Sequence, residues 1–223
     1  MAESSNAQRV VITGMGWVTP LGTEIGPVWS RLLSGECAIA PVTRFGAESF
    51  DTNFAAQAEL PDLRGALYNA EAHASAQPHS RFALAAAADA WTQSGLGDPS
   101  DESTLRAGAS GIDPSRIGVY LGAGEGVPDI DSLAAVDIES YVEEKRAVDD
   151  EAWARIALER LTRDGEFEQE PNVAVRRVAQ TFGAIGPGLN CMTACAASTQ
   201  AIGEAAELIK HGDADVMIAG GSH

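Results

Sequence analysis

The sequence predicts an α/β protein with a mostly parallel sheet flanked by helices, and three observations carry that reading. Short apolar runs end in glycine turns at "RVVITGMG" (9–16), "RIGVYLGAGEG" (116–126), "GPGLNCMT" (186–193) and "ADVMIAGG" (214–221). Segments with helical spacing lie between them. The resulting alternation of strand and helix is the pattern of a layered domain whose strands run parallel.

Taken in order, 9–16 reads as a short buried strand. "TEIGPVWSRLLSG" (23–35) reads as a helix capped by Thr23, with Pro27 near its first turn, where a missing N–H is tolerated. Ile25, Trp29, Leu32 and Leu33 share its expected inner face, and Gly35 stops it. "SRFALAAAADAWTQSG" (80–95) is the clearest helix, expected from Ser80 to Gly95; its alanines suit close packing against another backbone. The run 116–126 is a second buried strand with a glycine-rich exit. Residues 137–170 change character, being heavily charged and mostly helical, and read as a solvated excursion rather than core. A third strand (186–193), a helix (196–212) and a fourth strand (214–221) complete the pattern. In such sheets functional groups gather where strands end and helices begin.

Composition excludes several functions. The 223 residues carry a formal net charge of −17, with two lysines among 15 basic residues, so a nucleic-acid backbone or an anionic membrane is repelled. The N-terminus lacks the basic patch and long apolar run of a signal peptide, and no stretch approaches the ~20 apolar residues of a membrane span. Three cysteines, Cys37, Cys191 and Cys195, fit a reducing compartment better than a disulfide framework. A cytoplasmic location is expected.

Cys195 is the candidate nucleophile. A metal site with Cys191 needs two more ligands, and His211 and His223 stand at no recognisable zinc spacing. A Cys191–Cys195 disulfide is disfavoured, because one cysteine lies on a strand and the other at a helix start. Free cysteine is commonly a small buried hydrophobe, the reading kept for Cys37 and Cys191. Cys195 differs in context. The following helix directs its free N–H groups and positive dipole end at the sulfur, the setting that activates a thiol. Thr193, Ala194, Ala196 and Ala197 leave room for a sharp elbow and for substrate, and the cysteine N–H is placed to hold an oxyanion.

With that segment read, "NCMTACAASTQAIGEAAELIKHGDADVMIAGGSH" closely resembles the active-cysteine region of the β-ketoacyl-acyl-carrier-protein synthases. The resemblance extends in order through "RVVITGMGWVTPLG", "SRFALAAAADAW", "RIGVYLGAG" and "VAQTFGAIGPGLN", and omits 137–170. It implies the N-terminal half of a thiolase-like layered fold over residues 1–223, with a charged helical insert at about 137–170 and the C-terminal half absent. It further implies that Cys195 takes an acyl chain from an acyl carrier protein thioester. Decarboxylative condensation with a malonyl thioester follows, in fatty acid or polyketide synthesis. No cofactor or metal is expected. The family's two histidines, supported by a lysine, fall beyond residue 223; His73, His79 and His211 do not sit in the histidine motifs and His223 is the terminal residue, so the isolated chain is expected to be inactive.

Two departures bear on substrate and partner. Where the family places an apolar residue near its acyl pocket this chain has Glu125, either a costly carboxylate beside an alkyl chain or a solvent-facing loop residue. Basic residues for an acidic carrier are few: Arg64 in 58–73, Arg176 and Arg177, or Arg155, Arg160 and Arg163, any of which also suits a plain solvated face. The alternative function is a non-catalytic, synthase-derived subunit or binding module that partners a complete synthase. The resemblance places the "GLNCMT" strand at a sheet edge that pairs with its twin, which implies a homodimer for the complete enzyme and aggregation of the isolated piece.

Overall fold

The structure, a computed structural model, describes residues 9–108 and 111–223. In chain order its regular elements begin with α1 (Ile25–Leu33), the short strands β1 (Ile39–Pro41) and β2 (Phe54–Ala56), α2 (Pro78–Ser94) and α3 (Glu102–Gly108). There follow β3 (Ile117–Ala123), α4 (Ile130–Ser140), the strands β4 (Tyr141–Val142) and β5 (Ala147–Val148), α5 (Asp150–Arg160) and α6 (Arg163–Glu168). Then come α7 (Val173–Phe182), β6 (Gly188–Cys191), α8 (Ala197–His211) and β7 (Val216–Ser222).

The central sheet has the order β6-β3-β7 and is parallel at both joints, with Leu121 opposite Asn190 on one side and Gly220 on the other. Antiparallel pairing is confined to two small ribbons, β1 with β2 and β4 with β5. Every residue of β3 is buried, as a strand covered on both faces requires. Ile117, Val119 and Leu121 pack with Leu84, Trp91, Val178 and Phe182 of α2 and α7. Tyr120, of opposite parity, packs with Cys191, Ala197, Ala201 and Ala205 beneath α8. The result is the expected layering of helices on both faces of a parallel sheet.

The strand expected at 9–16 does not form. Residues 9–18 run without a sheet partner, leaving Val11 62% and Ile12 75% exposed. An apolar run becomes a buried strand only where another strand takes its edge and both faces are covered, and here β7 lies directly against β3 instead. The segment lies across α2, with Gly14 and Gly16 against the carbonyls of Ala90 and Ala86 and the Met15 N–H donating to Gln93 Oε1 (2.7 Å). The alanines of α2 do accept a close backbone, as their size suggested.

Helix α1 begins at Ile25 behind Glu24 rather than at a Thr23 cap, and it buries Val28 instead of the expected face. Trp29 is 57% and Leu33 71% exposed. Spacing identified an apolar stripe, but which stripe packs is decided by neighbours that local sequence does not contain. Helix α2 starts at Pro78, two residues ahead of Ser80, which is buried inside it, and ends at Gly95 in the left-handed conformation.

The charged stretch is helical as expected and has its own small core of Val136, Ile156 and Ala157 between α4 and α5. Asp129, Asp149 and Thr162 cap its three helices through side-chain oxygens that accept from Ser132, Ala152 and Gly165 N–H groups. Its far end is not wholly solvated. Glu168 is buried against Arg177 of α7, in an ion pair whose side chains are each 6% exposed. No helix among the described residues is long and apolar enough to cross a membrane.

Candidate active site

Strand β6 ends at Cys191, and five residues carry the chain from there to the start of α8. Within them Ala194 has φ +51°, a left-handed conformation that costs a non-glycine residue about 1–2 kcal/mol. Cys195 follows at the centre of a single 3₁₀ turn, Ala194–Ala196, and is exposed. The sequence pattern foresaw a sharp elbow here; the positive φ is its physical form. Ala196, at the N-cap of α8, has no side-chain acceptor to engage the first-turn N–H groups. Those donors and the helix dipole therefore face the cysteine end of the helix.

Two glycines seat the helix against the sheet. A β-carbon on Gly122, at the end of β3, would lie 2.4 Å from the Ala197 carbonyl carbon, and one on Gly221, in β7, 2.7 Å from Ser198 Cβ. Only glycine permits that approach, which brings the N-terminus of α8 over the C-terminal ends of both strands. Cys191 is buried beneath, its thiol donating to the Ala197 carbonyl (3.2 Å), consistent with a structural role. Cys37 is free and exposed in the loop after α1.

A polar chain that the sequence reading missed flanks the elbow. Tyr120 OH donates to Glu204, Gln200 Nε2 donates to the other Glu204 oxygen (2.8 Å), and Thr193 Oγ1 donates to Gln200 Oε1 (2.7 Å). The bond to Glu204, with burial, pushes the Tyr120 phenol up to about 12, and the same bond holds the Glu204 carboxyl below its ordinary range. The i, i+4 spacing of Gln200 and Glu204 was readable in the sequence; the tyrosine partner, on another element, was not.

The loop leaving β3 is pinned from both sides. Gln77 donates through Nε2 to the Val127 carbonyl (2.7 Å) and accepts the Val127 N–H (2.6 Å), while the Gly126 N–H donates to Gln169 (3.0 Å). Glu125 lies exposed in that loop, the solvent-facing outcome. Of the arginines considered for a docking face, Arg177 is removed by burial: it bonds Glu168, the Ala72 carbonyl and His73 Nδ1. Arg155 pairs with Glu159 and Arg160 with Glu139, Arg64 pairs with Asp62, and Arg176 stacks over Phe167 at 4.2 Å. Two clefts, of about 190 and 360 Å³, are lined by Leu105, Ile117 and Phe182 and by Leu63, His73 and Arg81 respectively; Cys195 lines neither.

Comparison with known proteins identifies the family and the fold. The family model described as "Beta-ketoacyl synthase, N-terminal domain" matches residues 7–223. The chain is 31% identical to 3-oxoacyl-[acyl-carrier-protein] synthase 2 of Coxiella burnetii, over 96% of this chain and 45% of that protein. Among solved structures, it resembles a β-ketoacyl synthase from Burkholderia phymatum at TM-score 0.64 and 24% identity, covering 95% of this chain and 46% of that one. It also resembles a chain from a type II polyketide synthase acyl-carrier protein in complex with its ketosynthase bound to the hexaketide. There the TM-score is 0.67 at 24% identity, covering 97% of this chain and 45% of that one. These structural likenesses place the chain in the thiolase-like fold. The chain spans about half the length of the relatives it matches. With an unbroken match across the sheet, the elbow and the helix behind it, the chain belongs to the β-ketoacyl synthase family, in its N-terminal domain.

Proposed function

We propose that Cys195 is the acyl acceptor of a β-ketoacyl-acyl-carrier-protein synthase. The observation that carries this is an exposed cysteine beside a strained alanine at the N-terminus of a helix set over the C-terminal ends of parallel strands. The sulfur attacks the carbonyl carbon of an acyl thioester, forming one C–S bond as the bond to the carrier's sulfur breaks; the departing thiolate takes up the proton that Cys195 gives away. In this reading the Cys195 N–H holds the oxyanion of the tetrahedral intermediate.

Condensation of the acyl-enzyme with the carbanion from a malonyl thioester, in fatty acid or polyketide synthesis, belongs to the whole protein. We take its partner to be an acyl carrier protein and its location to be cytoplasmic. Strand β6 pairs only with β3 among the described residues, and the half-exposed Leu189 sits on its free edge, which supports homodimer formation through that strand.

The direct test is to incubate the chain with a short acyl thioester and map adducts by mass spectrometry. Acylation of Cys195, lost in Cys195→Ala, is the expected result. Adducts on Cys37 alone would overturn the assignment.

A further inference from the structure

The elbow holds an alanine in a conformation it does not adopt unaided, so something must keep it there. On its strand side the Cys191 thiol is tied to the Ala197 carbonyl. Thr193, the residue before the strained Ala194, also reaches past the turn to Gln200 of α8. Gln200 is in turn held by Glu204, and Glu204 by the hydroxyl of the buried Tyr120 in β3.

The polarity of this chain is set by its only charge. A carboxylate accepts hydrogen bonds and cannot donate them, so the Gln200 amide must turn its NH₂ toward Glu204. That leaves the amide oxygen toward Thr193, whose hydroxyl must then donate. One end of the chain is anchored in the sheet, through a residue packed beneath α8, and the other end is the backbone that presents Cys195. The chain therefore ties β3, α8 and the elbow together beside the Cys191 bond, with Tyr120 and Cys191 packed in the same cluster beneath α8.

We propose that Glu204 and Gln200 are positioning residues for Cys195: by orienting Thr193 they hold the strained turn at Ala194 that presents the nucleophile. This rests on the acyl-acceptor reading of Cys195. None of the three residues need touch substrate, and their effect passes through the backbone between Thr193 and Cys195.

The test uses the 223-residue chain and iodoacetamide, scoring the rate of Cys195 alkylation relative to Cys37, an exposed internal reference in the loop after α1, by peptide mass mapping. Thr193→Val keeps the shape and removes the donor; Gln200→Leu removes the relay. Each is expected to lower the Cys195:Cys37 ratio about fivefold, the size of one neutral hydrogen bond. Thr193→Ser, which keeps the hydroxyl, restores the ratio to within twofold. Glu204→Gln frees the Gln200 amide to reverse and is expected to lower the ratio less than Gln200→Leu does. Melting temperatures taken alongside separate a local effect from general loosening.

Unchanged ratios in both Thr193→Val and Gln200→Leu would overturn the proposal, as would a loss in Thr193→Ser equal to that in Thr193→Val. The two readings fail separately. The acyl-acceptor assignment is decided by which cysteine the acyl thioester modifies in the unaltered chain, the positioning role by how the ratio changes on substitution.

Discussion

Gly122 and Ala197 stand so close that a β-carbon on the glycine would sit 2.4 Å from the alanine's carbonyl carbon, nearer than such atoms approach in folded proteins. The contact fixes how deeply the start of α8 sits on the sheet. Gly122→Val should therefore push the helix N-terminus outward and cost about 1–3 kcal/mol, the usual penalty of overpacking. Urea unfolding measures the loss, and Cys195 alkylation measures the displacement; a variant as stable and as reactive as the parent would show the helix to be free to move.

The Arg177–Glu168 pair joins the end of α6 to α7 with both side chains buried. Removing one partner of such a pair strands the other charge without solvent, at about 3–5 kcal/mol. Arg177→Met is expected to fall in that range by urea unfolding. The double substitution with Glu168→Leu should recover a large part of it, because no bare charge then remains. Additive losses would mean that the two side chains do not act as a pair.

Stability should fall in mild acid, and His73 supplies part of the reason. Burial and the positive charge of Arg177 push its imidazole down to about 4, opposed by Glu168 and reinforced by Arg176. The ring accepts from Arg177 at Nδ1 and bonds Thr181 Oγ1 through Nε2 (2.9 Å), an arrangement that suits the neutral form. Because the folded value lies below the ordinary 6.5, the unfolded chain takes up its proton first as pH falls. The contribution is complete above about 6.5 and is lost progressively down to about 4, at no more than about 1.4 kcal/mol per pH unit. His79, lowered mainly by burial, acts in the same direction. Denaturation midpoints measured across this window should slope less in His73→Gln than in the parent.

Tyr120 should titrate near 12. Ultraviolet difference spectra would follow it. Glu204→Gln removes the charge of the acceptor that gives the largest upward push and should bring the phenol back toward its ordinary range, though burial keeps it above that. No change on substitution would show that the Tyr120 hydroxyl does not donate to Glu204.

The sheet and the elbow at Cys195 were legible because their signals are local. The run through 117–123 is apolar, glycine-bounded and too short to be anything but a strand, and the small residues around Cys195 announce an elbow before a helix. What failed was whatever depended on a distant neighbour. Residues 9–16 look like a buried strand by composition, yet an edge is filled by whichever strand arrives, and β7 occupies that side of β3. The face of α1 was misread because its stripe has no covering element among the described residues. Arg177 passes for a solvated charge until Glu168, nine residues earlier and at the end of another helix, is seen against it.

The charged stretch keeps its hydrophobic contacts to itself, with Val136, Ile156 and Ala157 forming a cluster apart from the two that build the sheet layers. A unit stabilised by its own few contacts opens on its own, so amide hydrogens in α4 and α5 should exchange through a partial unfolding that leaves β3 and α8 protected. It also follows that substitutions within this cluster are absorbed locally. A change in the length or charge of this segment should therefore leave the elbow at Cys195 in place.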